Sequence, residues 1–329
     1  MRVTNSMMIN NLMRNLNNNL TRMEKTQQSL SSGKKFTRPS DDPIGVSRSL
    51  RLNTEIASME QYKRNADDIG SWMSTTEMAV SNINEILKRT KELTVQAVSE
   101  TNSVNERNAI AEEISELRNQ IVQIGNTTYA GSYIFSGFKT DKPLFDADGQ
   151  YDIGGAGNML AFDEVIKINV GIGDKIGMNT LGQRVFGLYL SPADLDKTPA
   201  DSLDQQKNAA VSYVESGNSS QLIEVFDKLI VDLKADDTEE ISKALSRIEI
   251  HSNNVNAIRA EIGVKTNRIN LTTNRILDDT LNLKELLSKN EDIDVAEVVM
   301  NLKMQEYVYQ ASLSGGAKII QPTLVDFIS

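Results

Sequence analysis

Residues 238–290 read TEEISKALSRIEIHSNNVNAIRAEIGVKTNRINLTTNRILDDTLNLKELLSKN, and they decide the fold. Ile241, Leu245, Ile248, Val255, Ile258, Ile262, Ile269, Ile276, Leu283 and Leu287 recur along one helical seam. Fifty residues of helix span roughly 75 Å. No compact globule holds a helix of that length inside its core. Other helices must therefore lie along it and share a narrow seam.

Toward the C-terminus, Asn290–Asp294 gives way to a last amphipathic helix carrying Ile293, Ala296, Met300, Met304, Tyr307 and Ala311. Gly315-Gly316 is expected to interrupt it before an apolar tail of Ile319, Ile320, Leu324, Val325, Phe327 and Ile328. Toward the N-terminus, Leu222–Leu233 reads as a short helix, preceded by a Pro/Asp linker over Ser191–Gln206. Thr128–Leu190 is glycine-rich, with β-like runs at 133–135, 165–170 and 184–189.

Three helices open the chain. The first carries Ile9, Met13, Leu16, Leu20, Met23, Gln27 and Leu30 at steps of four and three, a coiled-coil seam. Ser31-Ser32-Gly33 ends it, and Arg38-Pro39-Ser40-Asp41-Asp42-Pro43 forms a stiff connector in which Ser40 or Asp41 offers a helix cap. The second runs from about Pro43 to Glu100, with Trp72, Val80, Ile83, Leu87, Leu93 and Ala97 on or near its apolar side. The third starts near Asn105, presents Ile110, Ile114, Leu117, Ile121 and Ile124, and stops near Gly125-Asn126.

The expected class is mainly α, a long-helix coiled-coil bundle built from both chain ends with a small β-rich inserted domain. Residues 1–42 and 291–329 would form a discontinuous terminal coiled-coil domain. Residues 43–139 and 207–290 would form a helical rod, and 140–206 the insertion and its linker.

Composition narrows the function. A formal net charge of −10 disfavours nucleic acid, which needs a Lys/Arg-rich face. The absence of cysteine removes disulfides, thiolate zinc sites and cysteine nucleophiles. No run reaches the ~18 apolar residues of a membrane span. An ordinary signal peptide is not expected, because Asn10, Asn11, Arg14, Asn15, Asn17, Asn18 and Asn19 stand where its apolar core would be. Residues 1–35 carry six basic residues against Glu24, yet a membrane-surface helix would want Trp or Phe anchors that this helix lacks.

Candidate catalytic features are weak. His251 is the only histidine, so a two-histidine zinc motif is impossible. Gly171-x-Gly173-x-x-x-Gly177 lacks the helix that a dinucleotide site requires and reads as turn. Asp146-x-Asp148-Gly149 lacks the full ligand set of a calcium loop and reads as a hairpin turn. Asp41-Asp42, beside prolines and before a helix, suits capping better than acid–base chemistry. No cofactor and no catalytic residue is expected.

Several motifs resemble the flagellin superfamily. They are Met1-Arg2-Val3-Thr4-Asn5-Ser6-Met7-Met8, Leu30-Ser31-Ser32-Gly33-Lys34-Lys35-Phe36, and Arg38-Pro39-Ser40-Asp41-Asp42-Pro43. The Asp-Asp-Pro form is similar to the branch at the hook–filament junction rather than to flagellin. Ile124–Tyr129, Tyr133–Thr140 and Asp292–Glu297 resemble the same branch. The resemblance covers roughly 1–145 and 220–329, and the middle matches only loosely. It implies a non-enzymatic structural adaptor, exported through the flagellar apparatus to the extracellular flagellum. Its implied partners are further copies in a ring, a hook-associated protein on the hook side, flagellin on the filament side and a chaperone at the C-terminal region.

From the residues, the expected assembly interface is Ile9, Leu16, Leu20, Met23, Leu30, Ile293, Ala296, Met300 and Tyr307. Alternatives are flagellin itself, or a ligand- or glycan-binding module on the β insertion. Each buried seam side chain contributes about 2 kcal/mol, while each ordered residue costs about 1–2 kcal/mol. One buried residue in four or five leaves the ends marginal without neighbours. Amide exchange in the dilute monomer should therefore be fast through residues 5–30 and slow on assembly; strong protection in the monomer would contradict this.

Overall fold

The computed structural model describes residues 5–98, 104–152, 164–187, 195–199 and 220–319. The chain forms two compact units, one from residues 1–60 with 278–329 and one from 61–277. Its helices are α1 (Asn5–Ser32), α2 (Pro43–Val98), α3 (Val104–Gly125), α4 (Gly182–Phe186), α5 (Gln221–Ala235), α6 (Thr238–Glu291) and α7 (Val295–Ile319). The strands are β1 (Thr128–Tyr129), β2 (Ser132–Tyr133), β3 (Lys167–Asn169) and β4 (Lys175–Gly177). The long helix read from sequence is α6, with 54 residues, and α2 matches it with 56. The fold is mainly α, as expected.

In the unit of residues 61–277, one core joins the helices. Ile69, Val80, Ile83 and Leu87 of α2 share it with Ile114 and Ile121 of α3, Phe226 and Leu229 of α5, and Ile241, Ile248 and Val255 of α6. Residues between α3 and α5 enter the same core through an aromatic layer. Phe186 packs edge-on against Phe135 at 5.6 Å and Phe145 at 5.0 Å, and Phe145 lies 5.0 Å from Tyr151. The Tyr151 hydroxyl donates to Gly187 O at 2.6 Å, and burial pushes its pKa upward.

The β structure is sparse for a physical reason. β1 and β2 pair antiparallel across Ala130-Gly131, both at positive φ (49° and 82°), as a tight two-residue hairpin turn requires. Elsewhere side-chain amides replace strand neighbours. Asn126 donates to Phe145 O and accepts from Phe145 N, both at 2.8 Å. Asn179 does the same for Glu164 O and Ile166 N.

Three local expectations are corrected. The run 184–189 is not a strand: α4 covers Gly182–Phe186, and residues 188–189 lie outside the described residues. Helix formation there draws Gly182 close to Leu144 and Phe135 O, an approach that a Cβ would obstruct. The cap of α2 is Asp42 rather than Ser40 or Asp41, since its Oδ1 accepts from Ile44 N at 3.1 Å and Gly45 N at 3.0 Å. Gly315-Gly316 does not end α7, which continues to Ile319. Parts of the expected linker and apolar tail, at 191–194, 200–206 and 320–329, lie outside the described residues.

The motifs read as turns are turns. Asp146 Oδ1 accepts from Asp148 N at 3.0 Å and Gln150 N at 2.8 Å, with Gly149 at φ +82°. Gly171–Gly173 lies in the loop between paired β3 and β4. His251 is buried in α6 and neither ring nitrogen has a hydrogen-bond partner among the described residues. Burial alone lowers its pKa to about 4.

The unfolded imidazole keeps an ordinary pKa near 6.5, so it binds a proton before the folded one does. Folding stability must then fall as pH drops through about 6.5 toward 4, by on the order of 3 kcal/mol from this group. His251→Leu should remove that component: urea midpoints for variant and wild type should diverge between pH 7 and pH 5, with the variant less acid-sensitive.

Candidate assembly surface

In the unit of residues 1–60 with 278–329, the chain ends are joined by a backbone latch. Lys35 N donates to Glu291 O at 2.7 Å, and Ile293 N donates to Gly33 O at 3.1 Å. Gly33 has φ +74°, which turns the chain out of α1. Lys34 pairs with Glu291, and Lys35 Nζ donates to Lys289 O at 2.8 Å. Behind the latch, Asn290 Nδ2 donates to Gly45 O at 2.9 Å and Ser49 Oγ at 2.8 Å. Phe36 is buried, and its ring approaches so close to Gly45 that a Cβ there would collide.

From this latch α1 and α7 run antiparallel. At the far end Gly316 meets Leu12, where a Cβ would come within 2.6 Å of the leucine side chain. Gly316 is thus a close-approach glycine, not a helix stop. The half-buried stripe on α1 is Ile9, Leu12, Leu16, Asn19, Met23, Thr26 and Leu30, with Ser29 half-buried beside its end. On α7 the covered stripe is Val298, Leu302, Gln305, Tyr309, Ser312 and Gly316, with Asn301 and Glu306 half-buried at its margins. Both sets keep steps of three and four, the pattern of a two-helix seam.

This places the sequence-predicted residues in two groups. Ile9, Leu16, Met23, Leu30 and Ile293 are half-buried. Leu20, Ala296, Met300 and Tyr307 are exposed, Met300 by 62% and Tyr307 by 71%. The seam as first drawn is corrected: Met13, Leu20 and Gln27 lie outside it, and Leu12, Asn19 and Thr26 take their places. On α7 the stripe Ala296, Met300, Met304, Tyr307 and Ala311 faces away from α1. α7 is apolar on two opposite sides, and among the described residues one of them is covered, by α1. Leu12, Leu302 and Tyr309 were missed because the other stripe has the same period.

The exposed stripe offers no chemistry beyond apolar contact. Lys303, at its edge, donates to Glu306 at 2.8 Å, and that hydrogen bond raises its pKa. No group of metal-ligating side chains occurs among the described residues, and no described helix is long and apolar enough to cross a membrane.

A chain whose two ends close on each other and leave an apolar helical face open belongs among helical assembly proteins. More particularly, this chain belongs to the bacterial flagellin family: residues 3–140 match the flagellin N-terminal helical region and 245–328 the C-terminal helical region. It is 29% identical to flagellar hook-associated protein 3 of Escherichia coli over 95% of both chains. Against flagellin of Bacillus subtilis it is 25% identical over 95% of this chain and 94% of the relative. Its fold is similar to a solved flagellar hook associated protein-3 from Legionella pneumophila, with TM-score 0.55 and 17% identity over 73% of this chain and 99% of that one.

The two faces of α7 make separable contributions. Met300→Glu and Tyr307→Glu should leave monomer stability within about 0.5 kcal/mol of wild type, since both sites are exposed. Leu302→Ala, on the covered face, should destabilise the α1–α7 pair by about 1 kcal/mol or more. Thermal melts of the three purified variants measure the contrast.

Proposed function

We propose that this chain is a structural, non-catalytic subunit of the bacterial flagellum that acts as adaptor at the hook–filament junction. The observation that carries the reading is the second apolar face of α7, left open when α1 covers the first. Burial of Met300, Met304 and Tyr307 by neighbours would supply the ordering free energy that an isolated helix pair lacks. The match to hook-associated protein 3 of Escherichia coli runs through nearly the whole of both chains, which supports the junction role.

In this reading Leu20, Ala296, Met300 and Tyr307 contact neighbouring subunits. Ile9, Leu16, Met23, Leu30 and Ile293 hold α1 and α7 in the paired form that neighbours recognise. The subunit forms a ring of copies, with a hook-associated protein below and flagellin above. It reaches the cell exterior through the flagellar export route, accompanied by a chaperone on its C-terminal region. Flagellin is the second reading, supported by the length of the Bacillus subtilis match. Copy number separates them: about one helical layer per flagellum for an adaptor, thousands for a filament subunit.

Deletion of the gene should leave hooks without filaments while flagellin accumulates in the medium. Complementation with Met300→Glu/Tyr307→Glu should reproduce that phenotype although the variant is exported and, once purified, folds as the wild type does. Normal filaments in the deletion strain would overturn the proposal.

A further inference from the structure

The unit of residues 61–277 carries an apolar knob that its own fold does not use. Ile172 is 89% exposed at the tip of the β3–β4 hairpin, between Gly171 and Gly173. The tip is firmly built. Val170 N donates to Asp174 O at 3.0 Å, Val170 itself is buried, and Gly173 adopts φ +78°. Asp174 pairs with Arg268 at 2.6 Å, and Asn65 of α2 donates to Asn169 O at 2.8 Å. A turn needs only small or polar residues, so an isoleucine held there is a side chain poised for a partner.

The same unit carries a groove of about 530 Å³ between α2 and α3. Ile86, Leu117 and Ile124 supply its apolar surface, and Glu85, Gln120 and Gln123 its polar one. Charge relates the two features. The hairpin and its arginine supports carry Lys167, Lys175, Arg268 and Arg275 against Asp174. The groove carries Glu85 and Arg89, and Glu113 and Glu92 both pair with that arginine. A basic-rimmed apolar knob thus matches an acidic-rimmed apolar groove on the same body.

We infer that the β3–β4 tip of one copy seats Ile172 in the α2–α3 groove of a second copy. The contact is heterologous, since knob and groove are different surfaces, so repetition yields a ring or helix rather than a closed pair. It rests on the reading of this chain as a self-assembling flagellar subunit and names a lateral contact within that assembly. Opposite charge sets the approach, and the isoleucine fixes the register.

The chain contains no cysteine, so thiols can be placed at will. Flagella from cells expressing I172C/Q120C are isolated and oxidised, and covalent products are resolved by size. The double variant should give a ladder of multimers. The two single variants, incorporated together, should give dimers alone, and neither should react with itself. Absence of cross-links in flagella that contain these chains overturns the pairing, as does an I172C adduct to itself or to a different protein. If the double variant is excluded from flagella, the co-incorporated single variants decide by presence or absence of the dimer. Absence of the wild-type chain from flagella would instead remove the assembly reading itself.

Discussion

The latch between residues 33–35 and 289–293 is the constraint on which the terminal unit depends. Two backbone hydrogen bonds and the Lys34–Glu291 pair bring together segments separated by most of the chain. Closing a loop of that length carries an entropic cost that grows only slowly with length. Within the terminal unit the contact is supported from behind by Asn290, which donates to Gly45 O and Ser49 Oγ. Gly33, Phe36, Gly45 and Asn290 then convert helix ends into a junction, each through a specific close approach or hydrogen bond. Without the latch, α1 and α7 would be two separate amphipathic segments, each too poorly buried to persist.

Beyond the latch, the α1–α7 seam is weak by composition. Asn19 and Thr26 on α1, and Gln305 and Ser312 on α7, occupy positions that a stable two-stranded coil fills with Leu or Ile. Gln305 Oε1 is buried without a hydrogen-bond partner among the described residues, a further local cost. A seam of this quality sets register without supplying much free energy. In the proposed assembly the second apolar face of α7 has a thermodynamic purpose, because neighbours covering it would complete the burial left unfinished between α1 and α7.

Much of this architecture was legible in the sequence. The seam of α6 is dominated by isoleucine, leucine and valine at a single phase, so its length and face followed directly. Asp41-Asp42 and Pro43 marked the start of α2, although the capping oxygen belonged to the later aspartate. α1 and α7 were harder. Leu12 and Met13 are adjacent and both apolar, so the heptad has two permissible phases, and the polar residues at 19 and 26 hid the one in use. In α7 the two stripes share a period, and the sequence pattern carries no sign of which one is covered. Gly316 looked like a stop because composition cannot distinguish a helix-breaking glycine from one required for a neighbour's approach. The short helix at 182–186 was unreadable for a related reason: its β-branched and aromatic residues favour a strand locally, and the aromatic layer around Phe186 overrides that preference.

The residue types on the open faces favour an adaptor over a single fixed interface. Met13, Met300 and Met304 are all exposed, where a subunit meeting one unvarying neighbour would be better served by shape-fixed Leu or Ile. Methionine is unbranched and polarisable, and it fills irregular gaps by changing rotamer rather than by moving backbone. A subunit placed between two different lattices must present one helical face to neighbours of unequal spacing. Flexible thioethers accommodate that difference with little strain, while rigid Tyr307 preserves an anchor point. The knob at Ile172 follows the opposite logic: it is β-branched, flanked by glycines and fixed by Asp174, and so suits a contact between identical copies whose geometry does not vary. In the proposed assembly, adaptable contacts along the terminal helices and a rigid one on the β3–β4 hairpin would divide the tasks of a junction between matching unlike neighbours and holding like ones in register.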